Sequence, residues 1–232
     1  MSYNQLVISL LSYNIELGKK FEEIIAWIRG QARYDIICFQ EFPEEKISKF
    51  SEYLSGYNYE FVISLSRKKE RFGQLTLFDN TKFKLLNKQV VNIGPSMAAN
   101  IIYRNKLDRN ILLTTLSIAG KIFILANIHL TPITWNKRKI QQVQKIISLL
   151  DDMPTVLVGD FNYSSLMNLK RLTLILEKQG FIHDTPKFIT YQKFIIRHQL
   201  DYIFSKRCKI EDVKVDKIRF SDHLPISANL IV

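Results

Sequence analysis

The chain has 232 residues, 47% of them apolar, and its 33 Lys and Arg against 22 Asp and Glu leave a net charge of +11. That apolar share supplies a core and excludes a disordered chain, while two cysteines, Cys38 and Cys208, exclude a disulfide scaffold. The charge excess favours polyanionic partners, and the length suits one domain over residues 1–232.

In chain order, residues 6–13 read as an apolar, hydroxyl-bearing strand. Residues 19–33 read as a helix with Phe21, Ile24, Ile25 and Ile28 on one face. A short buried strand follows at 35–40, then a helix at 43–54 that opens on a proline and two glutamates. The middle of the chain is a block of strands at 57–66, 73–78, 83–91, 98–103, 110–118 and 121–129. The last two are joined by a hairpin at Ala119-Gly120. A helix over 134–150 carries the stripe Ile140, Val143, Ile146, Ile147 and Leu150. A strand at 153–159 and a helix over 165–179, closed by Gly180, come next. The final strands are 189–191, 199–205, 213–219 and 224–231. So many consecutive strands argue against a simple alternating parallel fold. They favour an α+β architecture, two sheets packed face to face with helices outside. No run reaches the ~18 apolar residues of a membrane span, and the first residues lack the charge and length of a signal peptide. The expectation is a soluble, cytoplasmic monomer.

Six short segments put polar groups at the ends of apolar strands: Ser12-Tyr13-Asn14, Phe39-Gln40-Glu41, Asn127-Ile128-His129, Gly159-Asp160-Phe161-Asn162, Leu200-Asp201-Tyr202 and Ser221-Asp222-His223. Asp160 and Asn162 fall on one side of an extended chain, and Asp222-His223 puts a carboxylate beside a proton-transfer group. Taken singly, Asn14 or Asn162 reads as a turn cap, Glu41 as a solvated charge, and His129 as a packed histidine. Six such strand ends together are parts for metal-assisted phosphate chemistry.

In this order the segments resemble the endonuclease/exonuclease/phosphatase superfamily, the deoxyribonuclease I-like fold, from about residue 6 to residue 231. The resemblance implies a four-layer α/β/β/α sandwich and a divalent-metal-dependent phosphoric ester hydrolase. Glu41 is similar to the main ligand of Mg²⁺, for which Mn²⁺ should substitute. Asn14 resembles the residue that orients the metal or the phosphate, and Asp222 a further metal or structural carboxylate. Asp160 resembles the carboxylate that activates water, and Asn162 the amide that holds the scissile phosphate. His223 resembles the histidine that contacts phosphate and moves protons, oriented by Asp201. His129 matches a second acid/base group of deoxyribonuclease I-like enzymes. The segment Lys68-Lys69-Glu70-Arg71-Phe72 resembles the one that supplies its glutamate, making Glu70 its expected partner. Arg109 resembles a phosphate-contacting arginine. The chain departs from many members at His198-Gln199-Leu200, where an arginine is usual, and at Lys68, where deoxyribonuclease I has a tyrosine.

The same parts serve nucleases, phosphoinositide phosphatases and sphingomyelin phosphodiesterases. Lys137, Arg138 and Lys139, with Lys193 and Arg197, are expected to flank the cleft and grip phosphates, so an endonuclease acting on DNA is the first reading. A phosphatase or phosphodiesterase on a lipid or small phosphate ester is the second, and a catalytically silent binder of a polyanion or protein the third. No exposed aromatic hairpin is expected for lipid insertion, Trp135 being the only candidate.

Overall fold

Two mixed six-stranded sheets form the centre of the computed structural model, whose described residues are 5–94, 109–132, 134–164 and 166–232. The first sheet runs β13 (Lys209–Val215), β14 (Ile226–Ile231), β1 (Val7–Asn14), β2 (Ile36–Pro43), β4 (Glu70–Asp79) and β3 (Tyr57–Arg67) from edge to edge. The second runs β5 (Lys84–Asn92), β6 (Asn110–Ile118), β7 (Lys121–His129), β8 (Thr155–Asp160), β12 (Asp201–Lys206) and β9 (Ile182–His183). A separate hairpin pairs β10 (Tyr191–Lys193) with β11 (Ile196–His198).

The central strands are apolar on both faces because both are covered. Ile8 and Leu10 of β1, Ile36 and Cys38 of β2, and Val156 and Val158 of β8 fill the space between the sheets. The alternate residues Leu11, Tyr13, Ile37 and Phe39 pack outward on helix α1 (Phe21–Arg29), through Phe21, Ile24, Ile25 and Ile28. Helices α2 (Asn136–Ile147) and α3 (Leu166–Glu177) cover the second sheet with Val143, Ile146, Leu172 and Leu176. The layers are therefore α/β/β/α. Each fully buried Ile, Leu, Val or Phe contributes about 1.5–3 kcal/mol of transfer free energy to this arrangement.

The Ala119-Gly120 hairpin is present, with φ of 48° and 79° at its two turn residues, the signs a tight hairpin turn requires. The helix expected over 43–54 is instead a 3₁₀ stretch, Glu44–Lys49, and one α turn, Phe50–Tyr53. Glu44–Lys49 holds a single apolar residue, Ile47, too little for a buried stripe. The strand expected over 98–103 lies outside the described residues. Among those described, no helix is long and apolar enough to cross a membrane.

β1 and β2 run parallel, as do β7 and β8. Their C-terminal ends open on one edge of the sandwich, where the polar segments gather.

Candidate active site

His129 ends β7, Asp160 ends β8 and Asp201 begins β12. The strand registers pair His129 with Asp160 and Asp160 with Asp201. Residues paired across a sheet point to one face, so the three stand in a row. That face is the inner one, since Val156 and Val158 of the same strand fill the core. From the opposite sheet, Asn14 donates through Nδ2 to Asp160 Oδ2 at 3.1 Å. Alternation would place Glu41 on the outer face with Ile37 and Phe39. A bulge between Phe39 and Phe42, with φ of 57° at Glu41, turns it into the cleft. Behind them Gln40 Nε2 donates to Asn127 Oδ1 at 2.9 Å, and Asn127 Nδ2 to the carbonyls of Phe39 and Leu75 at 3.1 Å. This polar floor stitches the two sheets beneath the site, and its signal in the sequence was only two amides amid apolar strands.

His223 lies just before β14. Ser221 Oγ donates to the Asn14 carbonyl at 2.7 Å and accepts from the His223 amide at 3.1 Å, which fixes the segment. The imidazole Nδ1 is 2.8 Å from Asp201 Oδ2, and Nε2 is 3.7 Å from Asp160 Oδ2. Burial disfavours charge on His223, but Asp201 and Asp160 outweigh it and raise its pKa. With its proton on Nδ1 the ring donates to Asp201. Burial raises the Asp160 pKa as well, against the lowering by His223. Its Oδ1 accepts from the Asn162 amide at 2.8 Å. Asn162 Nδ2 donates to the Leu130 carbonyl at 3.0 Å, leaving the other amide hydrogen for a ligand.

His129 has the opposite character. Burial, then Arg109 and His223, push its pKa well below the usual value. Arg109 Nη1 lies 3.1 Å from its Nδ1, and an arginine only donates, so the neutral ring accepts. Glu41 and Asp160 each approach Nε2 to 3.7 Å. Glu70 is not brought here. It opens β4 opposite Arg67, exposed at the end of the β3–β4 hairpin, and does not line the cleft. The expected His129–Glu70 pair is corrected to a His129–Arg109 contact flanked by Glu41.

Arg138 is also displaced. Its guanidinium is directed at Gly94, where an added Cβ would lie 3.2 Å from Nη2. One residue on, a helix turns by about 100°, so Lys139 takes the inward face of α2. Lys139 is buried, lines the cleft and donates to the Asn162 carbonyl. Asp222 stands at the rim, its Oδ2 accepting from Lys193 Nζ at 2.9 Å. Lys193 also reaches Glu16 Oε1 at 3.3 Å, a carboxylate with no motif to single it out.

The cleft has a volume of ≈ 640 Å³, and Lys19, Arg67, Arg109, Lys139 and Lys193 alternate around it with Glu16, Glu41, Asp160 and Asp222. Among the described residues no three His, Cys, Asp or Glu side chains form a ready metal cage. Mg²⁺ needs none, since one or two carboxylates, water and substrate phosphate satisfy it. Glu41 fits that role. Burial raises its pKa, Arg109, His223 and the Asn14 amide oppose this, and its side chain is 23% exposed to the cleft. A cation there would restore its charge.

Two UPF0294 proteins of Vibrio vulnificus, from strains YJ016 and CMCP6, are 30% identical to the chain over 110 residues. The match covers 46% of this chain, which spans only 39% of their length. Among solved structures, an endonuclease/exonuclease/phosphatase from Bacteroides vulgatus superposes with a TM-score of 0.78 at 16% identity, covering 97% of this chain and 98% of its own. ANGEL2, a 2',3'-cyclic phosphatase, gives 0.78 at 18% identity, covering 98% and 96%. The human nocturnin catalytic domain gives 0.74 at 20%, covering 98% of each. At these identities the structures establish the fold. Residues 11–223 match the profile of the Endonuclease/Exonuclease/phosphatase family, so the chain belongs to that family, whose members generally hydrolyse phosphoester bonds.

Proposed function

We propose that this protein is a divalent-metal-dependent phosphodiesterase that adds water to a phosphoric ester. The observation that carries the reading is the single constellation of Asn14, Glu41, Asp160, Asp201 and His223, drawn from both sheets around one cleft. Glu41, Asn14 and Asp222 would hold Mg²⁺ or Mn²⁺. When bound, the cation neutralises the phosphate and stabilises the departing oxygen. Asp160, its pKa raised by burial, takes the proton of the attacking water as the P–O ester bond breaks. His223 donates from Nε2 to the phosphoryl oxygens, with its charge held by Asp201. Neutral His129 and Arg109 bear on the opposite side, and the second amide hydrogen of Asn162 meets the phosphate.

For the substrate, the net charge of +11 and the cations around the cleft support DNA, with the protein acting as an endonuclease. A second reading is a phosphoric ester carried on a lipid. It is favoured by exposed apolar residues beside the cleft, Phe194 and Ile195, at 89% and 95% exposure. Plasmid DNA, RNA, phosphoinositide and sphingomyelin, each assayed with Mg²⁺ and with EDTA, test the proposal. Turnover of one class with the metal supports it. Turnover of none, with salt-sensitive binding that survives Asp160→Asn, favours a silent polyanion binder.

A further inference from the structure

The hairpin of β10 and β11 stands apart from both large sheets and breaks two local rules at its turn. Lys193 pairs with Ile196, so Phe194 and Ile195 form a two-residue loop. Such loops favour Gly, Asn or Asp, yet Phe194 holds a φ of 52°. The strain is not repaid by packing: Phe194 is 89% exposed, Ile195 95% and Ile196 48%. Strain together with exposed hydrocarbon at one turn is more readily explained by a binding role than by stability. This corrects the expectation that the chain has no exposed aromatic hairpin.

Around the turn the surface combines hydrocarbon with positive charge. Phe188 and Ile189 join Phe194 in lining a neighbouring hollow of ≈ 710 Å³, and Arg197, Lys217 and Arg219 line it too, all three exposed. The base of the hairpin touches the reaction site. The Tyr191 ring meets His223 edge-on at 5.0 Å, and Lys193 binds Asp222. The hairpin is therefore continuous with the cleft mouth.

We propose that this hairpin is an interfacial anchor that inserts Phe194 and Ile195 into an anionic lipid bilayer, with Arg197, Lys217 and Arg219 against the headgroups. Exposed hydrocarbon next to clustered cations is the combination that binds such a surface. Single-stranded nucleic acid fits less well, because two of the three exposed apolar side chains, Ile195 and Ile196, have no ring on which a base can stack. The inference deepens the lipid reading of the proposed function and rests on it only for substrate. Docking itself is measured without turnover.

The test is co-sedimentation of the full chain with vesicles of phosphatidylcholine alone and of phosphatidylcholine with about a third phosphatidylserine. The wild type is expected to sediment with the anionic vesicles, and Phe194→Ser/Ile195→Ser to lose at least about ten-fold in partition. Arg197→Gln/Lys217→Gln should weaken binding in the same direction. Ile182→Ser, which removes an apolar side chain 61% exposed on β9, should leave it unchanged. Hydrolysis of soluble bis(p-nitrophenyl) phosphate should survive the Phe194/Ile195 change. Its absence in wild type would remove the catalytic reading without touching the docking result. Equal binding by wild type and the Phe194/Ile195 variant, equal binding to neutral vesicles, an equal loss in Ile182→Ser, or a turn buried by self-association would overturn the anchor.

Discussion

Glu41 holds a backbone conformation that L side chains avoid, φ of 57°, which costs about 1 kcal/mol or more. The bulge places its carboxylate among buried groups where its own charge is disfavoured. On the proposed reading that position is held for the metal ion. Mg²⁺ should therefore raise the Tm of the wild type by mass action and leave Glu41→Gln unmoved, in scans with and without the ion. Equal shifts in both would remove Glu41 from the metal site. In the proposed mechanism Asp201 acts through His223, whose Nδ1 lies 2.8 Å from its Oδ2. Asp201→Asn should keep the fold and lose about 10²–10⁴-fold in kcat, with little change in KM. The Cys38 thiol, fully buried and pushed up to about 12, should resist thiol reagents until the chain unfolds. That most of the candidate residues would share one cleft was legible because six polar strand ends in one chain are hard to explain as turn chemistry. Their directions were not. Glu41 needed a bulge that no composition announces, and Glu70 was assigned to His129 without knowledge of how far the β3–β4 hairpin carries it.

β7 and β8 approach closely beneath the site. Gly159 has φ of 134°, and a Cβ there would lie 2.2 Å from the Ile128 carbonyl oxygen. Gly159→Ala should push the strands apart beside the His129–Asp160 pair and cost more than about 2 kcal/mol by denaturant unfolding. At the end of β4, Asp79 accepts from Thr81 N at 2.9 Å, Thr81 Oγ1 at 2.7 Å and Arg33 Nε at 3.0 Å. Burial raises its pKa, but the Thr81 bonds and Arg33 bring it below the usual 3.8. A depressed folded pKa stabilises above the unfolded value and ceases to as pH falls through the folded one. Asp79→Asn should therefore lower Tm at pH 7, and its gap to wild type should narrow as pH drops below 3.8. A constant gap across that range would contradict the assignment. Long strands such as β6 and β7 were legible to the residue, since each is an apolar run that the Ala119-Gly120 turn ends on one side and polar residues end on the other. β11 was not, because three residues, Ile196–His198, carry too little pattern.

Across the whole molecule, two sheets bring residues 14, 41, 129, 160, 201 and 223 to one edge, a convergence that alternating patterns suggest and only pairing registers fix. The apolar hairpin beside that edge was hidden for a related reason. A short Phe-Ile-Ile run carries no sequence signal of exposure, and only the fold shows these side chains facing solvent. Charge spread over the same surface makes binding of any polyanion salt-dependent, with affinity falling as ionic strength rises. The most direct measurement is turnover of bis(p-nitrophenyl) phosphate by the purified chain with Mg²⁺, with EDTA, and by Asp160→Asn with Mg²⁺. The account predicts rapid release of p-nitrophenol with Mg²⁺, none with EDTA, and release about 10²–10⁴-fold slower by the variant. Equal rates in EDTA, or an Asp160→Asn variant as fast as the wild type, would contradict it.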